Sequence, residues 1–179
     1  MDSFTQNEWF LIIAFGLFLF AIWKMRQPDE EGLLPDAGVN VGIVEKIILE
    51  EFELERNQKL KLGYTEKSIE KQLEGIFQAR IKHVITQYGL DGPTGQKIDF
   101  DLGHGKVGVE IKLAESVFKA GPQDRMVGQI QAYIKSRYSN DNLLLVIFCE
   151  ERHIKKRAIQ KAIKDRLEGM KVKVLFFKI

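Results

Sequence analysis

Two neighbouring segments alternate charged with apolar side chains, and this pattern gathers groups that could do chemistry. Residues 97–102 read KIDFDL and residues 106–113 read KVGVEIKL. Side chains alternate faces along a β-strand, so Glu110 and Lys112 share one face, and Asp99 lies on one face of the preceding strand. The two segments therefore predict a β-hairpin that carries acids and a lysine together.

The turn between the segments sets which acids meet. If His104 and Gly105 form a two-residue turn, Asp99 lies opposite Glu110, with Cβ atoms about 4.5–5.5 Å apart. Like charges at that separation destabilise a sheet unless something compensates them, and Mg²⁺ or Mn²⁺ prefers carboxylate oxygens. We therefore expect a divalent cation here, with Asp101 replacing Asp99 if the register slips by two.

Lys112 lies two residues beyond Glu110 on the same face. It could orient an attacking water or neutralise the charge that develops on a phosphate. Two acids and a lysine around Mg²⁺ suit the hydrolysis of a phosphodiester. The competing interpretation is a solvent-exposed strand face whose mixed charges serve only solubility.

The hairpin lies within an α/β pattern. Helical periodicity of apolar residues and runs of β-branched residues predict the flanking elements. They are a helix over 65–79 capped by Thr65, a strand over 81–88, a helix over 123–137, a buried strand over 143–148, a helix over 151–168 and a strand over 172–179. The order predicts a mixed β-sheet flanked by helices.

This arrangement resembles the PD-(D/E)xK nuclease superfamily, which has the restriction-endonuclease-like fold. Asp99 and the run Glu110-Ile111-Lys112 match its D…E-x-K signature. The order of elements over about 65–150 matches its αβββαβ core, to which this chain adds a C-terminal helix and strand. Ile98 stands where the signature has proline, a position at which the family often departs from its own pattern.

The resemblance also implies residues on the flanking helices. The helix before the hairpin should supply a glutamate, for which Glu70 is the first choice and Glu74 the second. The later helix carries Gln129 and Tyr133, which match the Q-x-x-x-Y motif of the exonuclease-like branch and share one helical face.

The resemblance implies a role for each of these residues. The implied Mg²⁺ or Mn²⁺ ligands are Asp99, Glu110, Glu70 and the backbone carbonyl of Ile111. Lys112 would position the attacking water, and Gln129 and Tyr133 would orient the surroundings of the metal or the end of the nucleic acid.

The N-terminus predicts a membrane anchor. Residues 9–23 carry no charge, although this stretch is slightly shorter than the roughly 17 residues usually needed to span a bilayer. Acidic residues precede it and basic residues follow it, which argues against a signal peptide and places the C-terminal domain in the cytoplasm. A helix buried in a protein partner is the remaining alternative.

The chain divides into three predicted parts: an anchor at 1–26, a linker and amphipathic helix at 27–62, and the nuclease-like domain at 63–179. The helix, predicted over 41–61, either packs on the domain or pairs with another copy. The net charge is only +2. Basic residues nevertheless concentrate at 152–173, where they could face nucleic acid or acidic lipid, or simply solvent.

Together these features predict a membrane-anchored nuclease that acts on nucleic acid, with DNA favoured over RNA, and its setting suggests defence against incoming foreign DNA, as in antiviral defence. The expected partners are nucleic acid, the membrane, a second copy through the anchor and the 41–61 helix, and an activating protein. The alternatives are a catalytically silent binding module of the same fold and a membrane assembly scaffold. His83, His104 and His153 show no spacing typical of metal ligands.

Overall fold

A mixed β-sheet forms the centre of the fold, which we describe from a computed structural model. The structure describes residues 32–56, 65–90 and 95–179. The predicted membrane segment at 9–23 and the end of the 41–61 helix lie outside these ranges. Among the described residues, no helix is both long enough and apolar enough to cross a bilayer.

The strands and helices are numbered here in chain order. The helices are α1 (Val41–Arg56), α2 (Glu66–Gln78), α3 (Ala114–Val117), α4 (Ala120–Ser136), α5 (Glu151–Ile154) and α6 (Arg157–Arg166). The strands are β1 (Val84–Gly89), β2 (Lys97–Leu102), β3 (Val107–Leu113), β4 (Leu143–Cys149) and β5 (Val172–Lys178).

In the described part of the chain the sheet has five strands in the order β1-β2-β3-β4-β5. β1, β2 and β3 are antiparallel neighbours, whereas β3, β4 and β5 run parallel. The parallel neighbours are connected through helices, as parallel pairing requires. The predicted α/β class and mixed sheet with flanking helices are therefore confirmed.

The sheet is covered on both faces, and β4 shows this most directly. Every residue of β4 is buried. Leu144, Val146 and Phe148 pack on one side with α1 and α2, while Leu143, Leu145 and Ile147 pack on the other with α4 and α6. The continuous apolar run correctly predicted a strand buried on both faces.

Helix α1 belongs to this core. Val44 and Ile48 are fully buried against the sheet side that also holds α2. Of the two alternatives for the amphipathic helix, the structure shows packing on the domain. Residues from Leu34 to Ile179 form one compact unit.

Several element boundaries differ from the predictions. The strand predicted from 81 begins at Val84, because Ile81 instead pairs with Leu34 in an isolated bridge. α4 begins at Ala120 rather than 123, since a proline such as Pro122 is tolerated in the first helical turn. The helix predicted over 151–168 is interrupted at Lys156, whose backbone leaves helical geometry, so two helices replace it.

Thr65 shows why α2 starts where it does. Its hydroxyl accepts a hydrogen bond from the backbone N–H of Ser68 at 3.1 Å, and the Ser68 hydroxyl accepts one from the N–H of Thr65 at 2.9 Å. This reciprocal capping satisfies two N–H groups that the helix leaves free. The predicted cap is confirmed, and it fixes the first turn of α2 beside the hairpin.

Candidate active site

The turn between β2 and β3 sets the register of the hairpin. His104 and Gly105 have φ values of 54° and 85°, as in a type I′ turn, and the Lys106 N–H donates to the Gly103 carbonyl at 3.4 Å. Leu102 pairs with Val107, as predicted for a two-residue turn.

The ladder between β2 and β3 ends at Phe100 and Val109, one pair before Asp99 and Glu110. Beyond that point a side chain replaces the backbone pairing. The Asp99 Oδ2 accepts a hydrogen bond from the backbone N–H of Ile111 at 2.7 Å. Asp99 is 8% exposed and lies beside the next residues of β3. The carboxylate is thus held rigidly against the strand that carries Glu110.

Glu110 is more deeply buried than Asp99, with 2% exposure. Its Oε1 lies 2.6 Å from Lys112 Nζ. Its Oε2 is buried and has no hydrogen-bond partner among the described residues. Burial, followed by the nearby Asp99 charge, raises the pKa of Glu110 to about 7.

Lys112 supplies positive charge to this pocket. Burial on its own would lower the pKa of the ammonium group, but Glu110 and then Asp99 outweigh it and raise the pKa. The side chain is 17% exposed, so it reaches the surface of the site. Lys112 therefore remains protonated. It lies between the buried acids and an adjacent cleft, which it lines.

The structure brings Glu70 of α2 to the same place through Gln87 of β1. The Gln87 Nε2 group donates to Asp99 Oδ1 at 3.0 Å and to Glu70 Oε2 at 3.3 Å. Burial, followed by the charges of Asp99 and Glu66, raises the pKa of Glu70. Glu74, the second choice, lines the same cavity of about 250 Å³ as Glu70 and Asp99.

No sequence pattern predicted that Gln87 would lie in the site. Its φ of 50° is unusual for a residue other than glycine, and it falls where the β1–β2 pairing skips one position. This local irregularity accompanies the contact of its amide with Asp99 and Glu70. No feature of a glutamine in a strand signals such a backbone conformation in advance.

Glu66 is a second residue of the site that the sequence analysis did not predict. Its Oε1 accepts hydrogen bonds from the Leu113 N–H at 3.0 Å and from the Ser116 hydroxyl at 2.8 Å. Because Glu66 precedes Glu70 by four residues, both lie on one face of α2, and this spacing could have revealed it. Glu66 joins the start of α2 to the end of β3.

Gln129 and Tyr133 of α4 take different positions around the site. Gln129 lines a cleft of about 530 Å³ together with Lys112, Glu66 and Arg125. Tyr133 is fully buried, and its hydroxyl donates to the Lys97 carbonyl at 2.7 Å. Burial and the neighbouring Glu110 charge raise the pKa of Tyr133, so the phenol stays protonated.

Asp101 is enclosed by its partners and does not open onto the site. It is fully buried and accepts hydrogen bonds from the Tyr138 hydroxyl at 2.7 Å and from the Gly105 N–H at 2.7 Å. The Arg137 guanidinium lies 2.8 Å from the same carboxylate. The register does not slip by two, so the condition under which Asp101 would replace Asp99 is not met, and the Asp101 oxygens already accept from these donors.

Asp101→Ala is expected to lower the free energy of unfolding by about 2–4 kcal/mol, because it leaves Arg137, Tyr138 and the turn without their buried acceptor. Urea unfolding of the chain, followed by circular dichroism, measures this. Asp165→Ala, which truncates an exposed aspartate, serves as the control and should stay within about 0.5 kcal/mol of the wild type. Equal stabilities of the two variants would contradict the structural role of Asp101.

The chain matches no protein-family model, no curated protein and no solved structure. What this site does is therefore argued from its own residues. They comprise acids on α2, β2 and β3, a partly buried lysine beside them, and a cleft that opens onto that lysine.

Proposed function

We propose that this chain is a membrane-anchored, Mg²⁺- or Mn²⁺-dependent nuclease that hydrolyses phosphodiester bonds, in DNA rather than RNA. The observation that carries the proposal is the juxtaposition of Asp99 and Glu110. Both carboxylates are buried, the charge of Asp99 raises the pKa of Glu110, and Lys112 is the cation in contact with Glu110. Burying such a pair is costly unless further positive charge arrives.

The donor set fits a hard divalent cation. Glu110 Oε2 is buried and unpartnered among the described residues, so a strong acceptor is left without a donor. Asp99 and Glu70 add carboxylate oxygens, which Mg²⁺ and Mn²⁺ prefer over nitrogen ligands. We propose Asp99, Glu110, Glu70 and the Ile111 carbonyl as the ligands, and such a cation supplies positive charge that polarises the phosphodiester.

The other residues of the site suit a phosphate-containing substrate. The Lys112 ammonium, held at 2.6 Å from Glu110, is positioned to hold a water or to neutralise charge on a nonbridging phosphate oxygen. Gln129 and Arg125 line the cleft onto which Lys112 opens, where they can contact the nucleic-acid backbone. The Tyr133 hydroxyl donates to the Lys97 carbonyl and so holds the start of β2 in place.

The predicted anchor gives the proposal its cellular setting. We propose a single membrane-spanning segment at 9–23 with the nuclease domain on the cytoplasmic side, where it would meet incoming foreign DNA. Since α1 packs on the domain, we propose that contact with a second copy is made through the anchor. We also propose that a protein partner activates the nuclease.

The proposal is tested by incubating the full-length chain, purified in detergent, with single-stranded and double-stranded DNA and RNA in linear and circular forms. Each substrate is incubated with Mg²⁺, with Mn²⁺ and with EDTA. Cleavage that needs the cation and favours DNA supports the nuclease. Binding without cleavage in any of these conditions would instead identify a silent nucleic-acid-binding module, and neither binding nor cleavage would favour the membrane scaffold.

A further inference from the structure

One carboxylate and two imidazoles meet at the turn end of the β2–β3 hairpin. His83 Nδ1 lies 2.9 Å from both carboxylate oxygens of Asp36. His104 Nε2 lies 3.8 Å from Asp36 Oδ2, and possible ligand atoms of all three residues lie within 4.8 Å of one another. We propose that Asp36, His83 and His104, the histidine cluster, bind a divalent transition-metal ion of the zinc class.

The spacing of the ligand atoms suits such an ion. Tetrahedral ligands about 2.0–2.1 Å from Zn²⁺ lie roughly 3.4 Å from one another. The distances of 2.9 Å and 3.8 Å from Asp36 oxygens to the two imidazoles fall on either side of that value. Two of the three spacings between ligand atoms are therefore close to those around one such ion, and the third is at most 4.8 Å.

The chemistry of the ligands distinguishes this cluster from the acidic site. Imidazole nitrogens select zinc, cobalt, nickel or copper over magnesium, whereas a site built of carboxylates alone favours magnesium or manganese. The cluster also lies beyond the end of β2, and Asp99 is roughly 10 Å from that end at 3.3 Å per strand residue. The two sites are thus separate in both position and metal preference.

Backbone hydrogen bonds hold the three ligand-bearing segments together. The Leu34 N–H donates to the Arg80 carbonyl at 2.8 Å, and the Lys82 N–H donates to the Leu34 carbonyl at 3.1 Å. These bonds fix the segment before Asp36 beside the segment before His83. The Gly103 N–H in turn donates to the His83 carbonyl at 2.8 Å, which fixes the turn that carries His104.

A second contact brings the two imidazoles close. Their ring centroids lie 4.0 Å apart with an interplanar angle of 35°. Two imidazoles this close can share one metal ion. The His104 side chain is 60% exposed, which leaves water or another ligand free to take a further coordination position.

The bound ion would act as a cross-link. Asp36 and His83 are 47 residues apart in the chain, and His104 adds the hairpin turn. Three segments distant in sequence would therefore be tied at one point, which stabilises the folded state over the unfolded one. Sequence spacing did not predict this cluster, because the fold brings His83 and His104 to Asp36 from distant parts of the chain.

Cobalt(II) is the probe for this site, because tetrahedrally coordinated Co²⁺ absorbs visible light strongly. The full-length chain in detergent is titrated with Co²⁺ in buffer containing millimolar Mg²⁺, which occupies oxygen-ligand sites. We expect one equivalent to bind and to be displaced by Zn²⁺. Zn²⁺ at about 100 times its Kd should raise the Tm by about 5–10 °C.

Asp36→Asn and His104→Asn are the test variants, since asparagine tolerates the positive φ of position 104. Each should weaken Co²⁺ binding by at least about tenfold. Lys106→Ala, in the same turn and exposed, is the control and should bind as the wild type does. No Co²⁺ absorption in the wild type, or absorption unchanged in both test variants, would overturn the proposal and leave an ordinary histidine–aspartate pair.

Discussion

Lys112→Met is expected to lower the rate of cation-dependent DNA cleavage by about 10²–10⁴-fold. Methionine keeps the length and apolar stem of the side chain but removes the ammonium that lies 2.6 Å from Glu110. A water or phosphate oxygen at the mouth of the cleft then loses its nearest fixed positive charge. Initial rates under single-turnover conditions, at saturating Mg²⁺, measure the loss.

Two controls separate this effect from misfolding or from a general loss of positive charge. Lys106→Met removes an exposed lysine from the hairpin turn and should cleave at the wild-type rate. The circular dichroism spectrum of Lys112→Met should match that of the wild type. A variant that is folded yet retains cleavage within about threefold of the wild type would remove Lys112 from the reaction.

Glu110→Gln is expected to make the metal-free chain more stable at pH 8 while abolishing cleavage. In the folded state the pKa of Glu110 is about 7, against 4.5 for the unfolded chain. Since the folded state binds this proton more tightly, ionisation of Glu110 costs stability as the pH rises from about 4.5 to 7, and the full cost is present above that range. The shift corresponds to roughly 3 kcal/mol.

Glutamine removes that cost but also loses the ion pair with Lys112, so we expect a net gain of about 1–3 kcal/mol at pH 8. The gain should vanish below about pH 4.5, where Glu110 is protonated in both states. Urea unfolding in EDTA at several pH values measures this difference. A variant less stable than the wild type throughout the range would show that the Glu110 charge is already compensated in the metal-free protein.

The sequence predicted the sheet because its signals were local and mutually consistent. The alternation in β2 and β3, together with a two-residue turn, set the register that pairs Leu102 with Val107. The unbroken apolar run of β4 required burial on both faces. Neither conclusion needed information from distant parts of the chain.

Residues that depend on tertiary contacts were harder to find. Gln87 contacts Asp99 and Glu70 where its own backbone adopts a positive φ, which the type of residue does not encode. His83 and Asp36 meet because Leu34 pairs with Ile81, a bridge that no periodicity indicated. Glu66, in contrast, was accessible from its spacing to Glu70 on one helix face.

Asp99 and Glu110 show how far sequence reasoning about a site can reach. Alternation and register placed the two carboxylates on adjacent strands. Only the structure showed that the Asp99 carboxylate accepts the Ile111 N–H and that one Glu110 oxygen is buried without a partner. These details turn a mixed-charge strand face into a candidate metal site.

The most direct test of the central claim is the dependence of the DNA cleavage rate on Mg²⁺ concentration, compared between the full-length wild type and Asp99→Asn. We predict a saturable dependence in the wild type, no cleavage in EDTA, and a half-saturating Mg²⁺ concentration at least about tenfold higher in the variant. Cleavage that persists in EDTA, or the same half-saturating concentration in both proteins, would contradict the assignment of Asp99 and Glu110 as the site of a catalytic cation.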